Sequence, residues 1–269
     1  MLNRRHAMGR LLVGLAAPLA VRAQPRAGAM PGQKDPLESM QWPDIRREFL
    51  GNAPVVFDDR VKVVGPAFAE DPMAVPVSVS ALELRDVAQI AVIVERNPIR
   101  KVLDFYPRQA LPALSFRFKL EQASPVRAAV KTADGVWHVG GTFVESSGGG
   151  CTLPGVTRSD GSWASTLGQV SGALFESPLA AEATRLRLRV MHPMDTGLVA
   201  GVPAFFINRL AVLDEGGAEL LVFNGYEPLS ENPVLSFELP GRASASLRVR
   251  GSDNNGNRID AAIGRRLLP

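Results

Sequence analysis

A chain of 269 residues with one cysteine, Cys151, cannot close a disulfide within itself. Histidine is almost as scarce. His6, His138 and His192 are the three, and none lies at ligand spacing from another histidine or from Cys151, which argues against a zinc site. Gly148-Gly149-Gly150 is not followed by Lys-Ser/Thr or by a helix signature, so no phosphate cradle is present, and no Gly-x-Ser-x-Gly elbow occurs. A cysteine hydrolase would pair Cys151 with His138 or His192. Nothing around the cysteine, however, reads as a helix N-terminus that would lower its pKa. Long apolar runs are also missing: Leu11 to Val21 reaches only about half a membrane span.

The chain is rich instead in turn chemistry. There are 25 glycines and 21 prolines, with aromatic residues at 6%, which favours many short strands over long helices. Residues 1–23 read as an export signal. Arg4, Arg5 and Arg10 precede the apolar stretch, and Val21-Arg22-Ala23 places small residues for cleavage after Ala23. Arg4-Arg5 leaves the twin-arginine and general secretory routes both open. The signal holds four arginines and no acid, so its removal takes the formal charge from +3 to about −1. That removes the electrostatic support for nucleic-acid binding. Export to the periplasm places Cys151 where thiols normally pair. With no partner in the chain, it is a free thiol, an intermolecular link or a modified site. The ordinary fate of a free cysteine is a small buried hydrophobe. The glycine run before Cys151 argues instead for a reactive thiol held out on a flexible arm.

Residues 24–40 read as a disordered leader. Trp42 to Gly51 predicts a short helix, with Pro43 in its first turn and Trp42, Ile45 and Phe49 on one face. A period of two comes next. Val75 to Ser80 alternates, Ala88 to Val94 is a continuous buried strand, and Leu114 to Leu120 alternates with its charged residues on the wet side. Val126 to Lys131 and Val136 to Glu145 flank Asp134-Gly135, which favours a two-residue hairpin turn. His138 falls opposite in phase to Trp137, facing solvent. Residues 146 to about 180 read as an irregular connection anchored by Trp163, Leu167 and Phe175. Strands resume at Arg185 to Val190, whose arginines share a wet face. They continue through Ala204 to Leu213 and Ala218 to Phe223 around Glu215-Gly216-Gly217, then Val234 to Leu239, Ser246 to Arg250 and Arg258 to Ile263. His192 sits in a turn and Met194 reads as core filler. The fold class is all-β: two immunoglobulin-like β-sandwich domains with a short N-terminal helix.

The second half resembles SoxZ, one subunit of the SoxYZ sulfur carrier. The matching pieces are His192-Pro193-Met194-Asp195-Thr196-Gly197, Pro203 to Asn208, Phe223-Asn224-Gly225, Ser230-Glu231-Asn232-Pro233 and Ser252 to Gly256. The first half resembles SoxY through Gly65 to Val77 and through Ser147-Gly148-Gly149-Gly150-Cys151. The whole is similar to the fused SoxYZ-like carriers associated with quinoprotein dehydrogenases. The resemblance implies a SoxY-like domain over 41–151, a linker over 152–180 and a SoxZ-like domain over 181–269. It further implies no catalysis and no cofactor beyond a covalent adduct. Cys151 would be the carrier, and Gly148, Gly149 and Gly150 its arm. Periplasmic redox or sulfur-processing enzymes would be the partners, a quinoprotein dehydrogenase among them. The alternative is a non-catalytic scaffold for such a dehydrogenase, with Cys151 incidental. Here the arm is tethered at both ends, and Thr152-Leu153-Pro154 stands where SoxY has further glycines. Cys151 is therefore expected at a loop tip of limited reach.

Overall fold

The computed structural model describes residues 33–241 and 246–264. The signal segment 1–23, and with it the export reading, lies outside the described residues. One helix, α1 (Trp42–Leu50), opens the fold. Nine strands come after it: β1 (Val55–Phe57), β2 (Lys62–Val64), β3 (Phe68–Ala69), β4 (Val75–Ser80), β5 (Val87–Val94), β6 (Lys101–Tyr106), β7 (Ala113–Phe118), β8 (Ser124–Thr132) and β9 (Trp137–Ser146). Two short helices, α2 (Val156–Asp160) and α3 (Trp163–Thr166), lead into the second half. It consists of β10 (Val170–Glu176), β11 (Ala183–Val190), β12 (Ile207–Leu213), β13 (Glu219–Gly225), β14 (Val234–Pro240), β15 (Ser246–Asp253) and β16 (Arg258–Gly264).

These strands form two sheets, and neither sheet belongs to one half. The larger runs β1-β9-β8-β5-β6-β13-β12-β15-β16, with β3 also on β9, and the smaller runs β10-β11-β14-β7-β4-β2. The halves meet edge to edge in both. Antiparallel pairing joins β6 to β13 from Leu103↔Gly225 to Tyr106↔Val222, and joins β7 to β14 at Leu114↔Phe237 and Ser115↔Ser236. One hydrophobic core runs through the junction. Phe237 stacks on Phe105 at 5.5 Å and meets Phe223 edge-on at 6.0 Å. The Tyr226 hydroxyl donates to the buried Asp104 carboxylate at 3.0 Å. The two expected sandwiches are thus joined through their sheets.

Local sequence explains most elements. Strand β4 alternates buried and exposed side chains. In β5 Ile90 to Val94 are all buried, because α1 covers the outer face there. Trp42, Ile45 and Leu50 pack on Ala91, Ile93, Ala129, Trp137 and Val139. Three hairpins close in one way. Thr132, Asp214 and Asp253 each donate an N–H to the carbonyl four residues on, and each accepts from the glycine three residues on. Those glycines, Gly135, Gly217 and Gly256, have φ of 85°, 83° and 85°, which only glycine adopts without strain. The Asp134-Gly135 connection is therefore a three-residue loop, Ala133 to Gly135, rather than the expected two.

Three further expectations are corrected. Within the expected disordered leader 24–40, residues 33–40 are anchored, while 24–32 lie outside the described residues. Asp35 accepts the Arg127 guanidinium at 2.7 Å and the backbone N–H groups of Leu37 and Ser39. Arg127, 1% exposed, also donates to Glu95 at 2.7 Å and lies 4.9 Å from the Trp42 ring. A buried guanidinium without its carboxylates would carry a heavy desolvation cost. Next, the expected linker 152–180 contains α2, α3 and the strand β10, fully paired to β11 from Val170↔Val190 to Glu176↔Thr184. Its Ser and Gly residues hide the pattern, yet Leu174 is buried in the core. Finally, Lys119, expected on a wet face, is 2% exposed, because β7 ends at Phe118 and the second half covers the residues beyond that end.

Phe237→Ala removes the ring that ties the two halves and should cost about 3–5 kcal/mol. Urea unfolding monitored through Trp137 and Trp163 should give one coincident transition in wild type and variant alike. Two separated wild-type transitions would contradict a shared core.

Candidate functional site

Strand β9 delivers the chain to Ser146, and the glycines then turn it back along the segment after β7. Gly148 and Gly149 have φ of 94° and 87°. Gly149 N–H donates to the Glu121 carbonyl at 3.1 Å, and Gly150 N–H to the Leu120 carbonyl at 3.2 Å. Gly150 is needed for close approach rather than for swing. A Cβ there would lie 2.2 Å from the Pro72 carbonyl oxygen and 2.6 Å from that of Leu120.

Cys151 lies below this turn and is 1% exposed. Its thiol donates to the Lys119 carbonyl at 3.5 Å. Its N–H donates to the Glu121 carboxylate at 2.9 Å, which also accepts the Thr152 hydroxyl at 3.0 Å. From the second half, the Thr196 hydroxyl donates to the Cys151 carbonyl at 2.7 Å. The expected exposed loop tip is therefore corrected: Thr152, Leu153 and Pro154 are exposed, but the thiol faces inward. The reason is that the chain continues after Cys151 and is held on both sides. Thr157 donates through its N–H and hydroxyl to Glu231 at 3.2 and 2.9 Å. Arg158 pairs with the buried Asp195, donating through Nε at 3.0 Å, and lies 4.5 Å from the Trp163 ring.

Electrostatics keep this thiol protonated. Burial first, then the Glu121 charge, push Cys151 up to about 12, against a downward pull from Lys119. Lys119 is itself shifted down by burial, opposed by Asp195, Cys151 and Glu231, and donates to the Met194 carbonyl at 2.5 Å. Met194 is fully buried, takes φ of 51°, and accepts the Ile207 N–H on its sulfur at 3.3 Å. His192 accepts the Met194 N–H on Nδ1 at 3.1 Å, which leaves the proton on Nε2, 3.5 Å from Asp253. Burial lowers His192 to about 4 despite Asp253 and Asp195. His138, expected to face solvent, is partly buried with Nδ1 2.7 Å from Asp58. Both histidines among the described residues are thus engaged away from the thiol, and no Cys–His dyad is formed among those residues. Among the described residues no cluster of His, Cys, Asp or Glu is suited to hold a metal.

Sequence families match both halves. The family described as "Sulfur oxidation protein SoxY" matches residues 46–151, and "Sulphur oxidation protein SoxZ" matches residues 175–263. The chain belongs to the SoxY–SoxZ sulfur-carrier family. It is a SoxY and a SoxZ domain fused in one polypeptide, and the family is non-catalytic. The SoxY match ends on Cys151 itself. Among solved structures, the sulfur carrier protein SoxY from Chlorobium limicola f thiosulfatophilum is 20% identical, with 39% of this chain and 90% of that chain covered and a TM-score of 0.35. A search of curated proteins finds no match.

Around Cys151, sequence reasoning found Gly148, Gly149, Gly150 and the cysteine, and it quoted Asp195, Thr196 and Glu231 only as parts of SoxZ-like motifs. Glu121 and Lys119 were missed. Their roles depend on contacts some 30 residues or more away, which no local pattern reports.

This geometry leads to two measurements. At pH 7 a thiol near 12 is ionised only about once in 100,000 molecules, so iodoacetamide should alkylate native Cys151 at least about 100-fold more slowly than the urea-unfolded chain. Equal rates would place the thiol at the surface. His192 titrates near 6.5 unfolded but near 4 folded, so the stability it contributes is present above pH 6.5 and lost as pH falls toward 4. Urea midpoints of wild type should fall across that window more steeply than those of His192→Asn.

Proposed function

We propose that this protein is a periplasmic carrier that holds a sulfur-containing, or other thiol-reactive, group covalently on Cys151 and presents it to partner enzymes. The observation that carries the reading is the place of the only cysteine. The SoxY match ends on it, and it sits where the SoxY and SoxZ halves meet. A thiolate is both a nucleophile and a leaving group for sulfur–sulfur exchange, so one residue can take up and release cargo without performing catalysis. In this reading residues 41–151 act as the SoxY-like unit and 181–269 as the SoxZ-like unit. Residues 152–180 tether the carrier segment, with Gly148 and Gly149 as its hinge. The export signal in residues 1–23 supports a periplasmic location, and no helix among the described residues is long and apolar enough to cross a membrane. The partners are redox or sulfur-processing enzymes of that compartment, a quinoprotein dehydrogenase among them.

A second reading is favoured by the burial of Cys151. The protein would then be a scaffold for an exported dehydrogenase, with the cysteine serving only as packing.

Intact-mass analysis of protein purified from its own periplasm separates the two. The carrier reading expects a sulfur-containing adduct on Cys151 and loss of function in Cys151→Ser. A mass equal to the processed sequence under several growth conditions, with Cys151→Ser fully functional and still co-purifying with its partner, would establish the scaffold.

A further inference from the structure

We infer that residues 148–155 are a strap latched shut over the empty thiol by Glu121 and Thr196, and that loading Cys151 with an anionic sulfur group opens it. The inference rests on the carrier reading. Both latches grip the one residue that would bear cargo: Glu121 from the first half takes its N–H, and Thr196 from the second half gives a hydroxyl to its carbonyl. Thr152 adds a second contact to the same carboxylate. Beyond the strap, Thr157 on Glu231 and Arg158 on Asp195 hold the chain independently. The segment can therefore lift while its far end stays docked. Gly148 and Gly149 sit in conformations only glycine adopts easily, and three extended residues carry a sulfur about 10 Å.

The closed site encloses the thiol, for Cys151 is 1% exposed. A thiosulfonate adduct brings two sulfurs, three oxygens and a negative charge into that space. The nearest anion is the Glu121 carboxylate, which already holds the Cys151 N–H. Lys119, the nearby cation, is held on the Met194 carbonyl. Crowding and like charge both act on the atoms that latch the strap. Empty, the carrier is withdrawn and unreactive; loaded, it is presented.

The test loads purified full-length protein with tetrathionate. The Cys151 thiolate attacks an inner sulfur, an Sγ–S bond forms and the central S–S bond breaks. Thiosulfate leaves with the electron pair, and the thiol proton goes to solvent. The product is Cys–S–S–SO3−. Hydrogen exchange read by mass spectrometry should then show the amides of Gly149, Gly150 and Cys151 exchanging at least about tenfold faster than in the empty protein, with the rest of the sheet unchanged. Two variants approach the same opening from the unloaded side. Glu121→Ala removes the latch, and Gly150→Ala wedges the strap without touching it, since Gly150 does not use a positive φ. Both should raise the rate of Cys151 with a disulfide reagent such as dithiobis-nitrobenzoate by about tenfold or more. Loaded protein as protected as empty protein would overturn the inference, placing the cargo inside beside Lys119. Wild-type thiol as reactive as in both variants would do the same. The carrier reading fails separately, by the native mass, because tetrathionate loads the thiol whether or not the cell does.

Discussion

Everything near Cys151 depends on the two edge pairings, β6 with β13 and β7 with β14. Each half alone would present open strand edges on both its sheets, rows of backbone donors and acceptors that need a partner. Here each half supplies that partner to the other, and the shared core of Phe105, Phe223 and Phe237 seals the seam. The pairings also determine where β7 points. Its strand stops at Phe118, and Lys119 then lies beneath the second half, where the Pro228 carbonyl accepts its N–H and the Met194 carbonyl accepts its ammonium. Without the seam, Lys119 would be solvated and the strap would lose its contact to Thr196. Covalent fusion keeps the two halves at high effective concentration, so the seam does not depend on the amount of a second subunit.

The seam resolves an apparent conflict between carriage and burial. A sulfur in the proposed carrier role must react, yet this one is protonated and enclosed. Hydrogen bonds to neighbouring segments hold the strap: the N–H groups of Gly149, Gly150 and Cys151, the Cys151 thiol, and the hydroxyls of Thr152 and Thr196. At about 1 kcal/mol net for each, opening costs several kcal/mol, which leaves an open population well below about 0.1%. Such a thiol is idle toward oxidants yet available to an enzyme that captures the open form. In the periplasm proposed for this protein, where exposed thiols oxidise, that is the useful compromise.

The parts of the fold that are legible in the sequence are those governed by near neighbours. Helix α1 shows itself through Pro43, Gly51 and its apolar stripe, and β4, β7 and β11 through their alternation, because each pattern needs only one buried face. Strand β10 is hidden by Ser171 and Gly172, and the N-terminal anchor by the distance from Asp35 to Arg127. The site divides in the same way. Cys151 stands out because it is the only cysteine, whereas Glu121 and Lys119 are ordinary charges until the halves are assembled. A buried, latched thiol is the less favoured reading of the sequence because glycine runs suggest mobility.

The three glycines show why that inference from composition goes astray. Gly148 and Gly149 are glycine for their backbone angles. Gly150 is glycine because the carbonyls of Pro72 and Leu120 leave no space for a methyl group. Backbone angles and packing together account for all three in the closed state, and flexibility is not required to explain any of them. The first two nonetheless remain the cheapest places for the chain to turn when the latch releases, since glycine crosses between positive and negative φ with little penalty. The third matters only while the strap is shut. One short run thus serves a rigid closed form and a mobile open one, and the choice between them lies with Glu121, which binds the strap by its backbone and repels an anion on its sulfur.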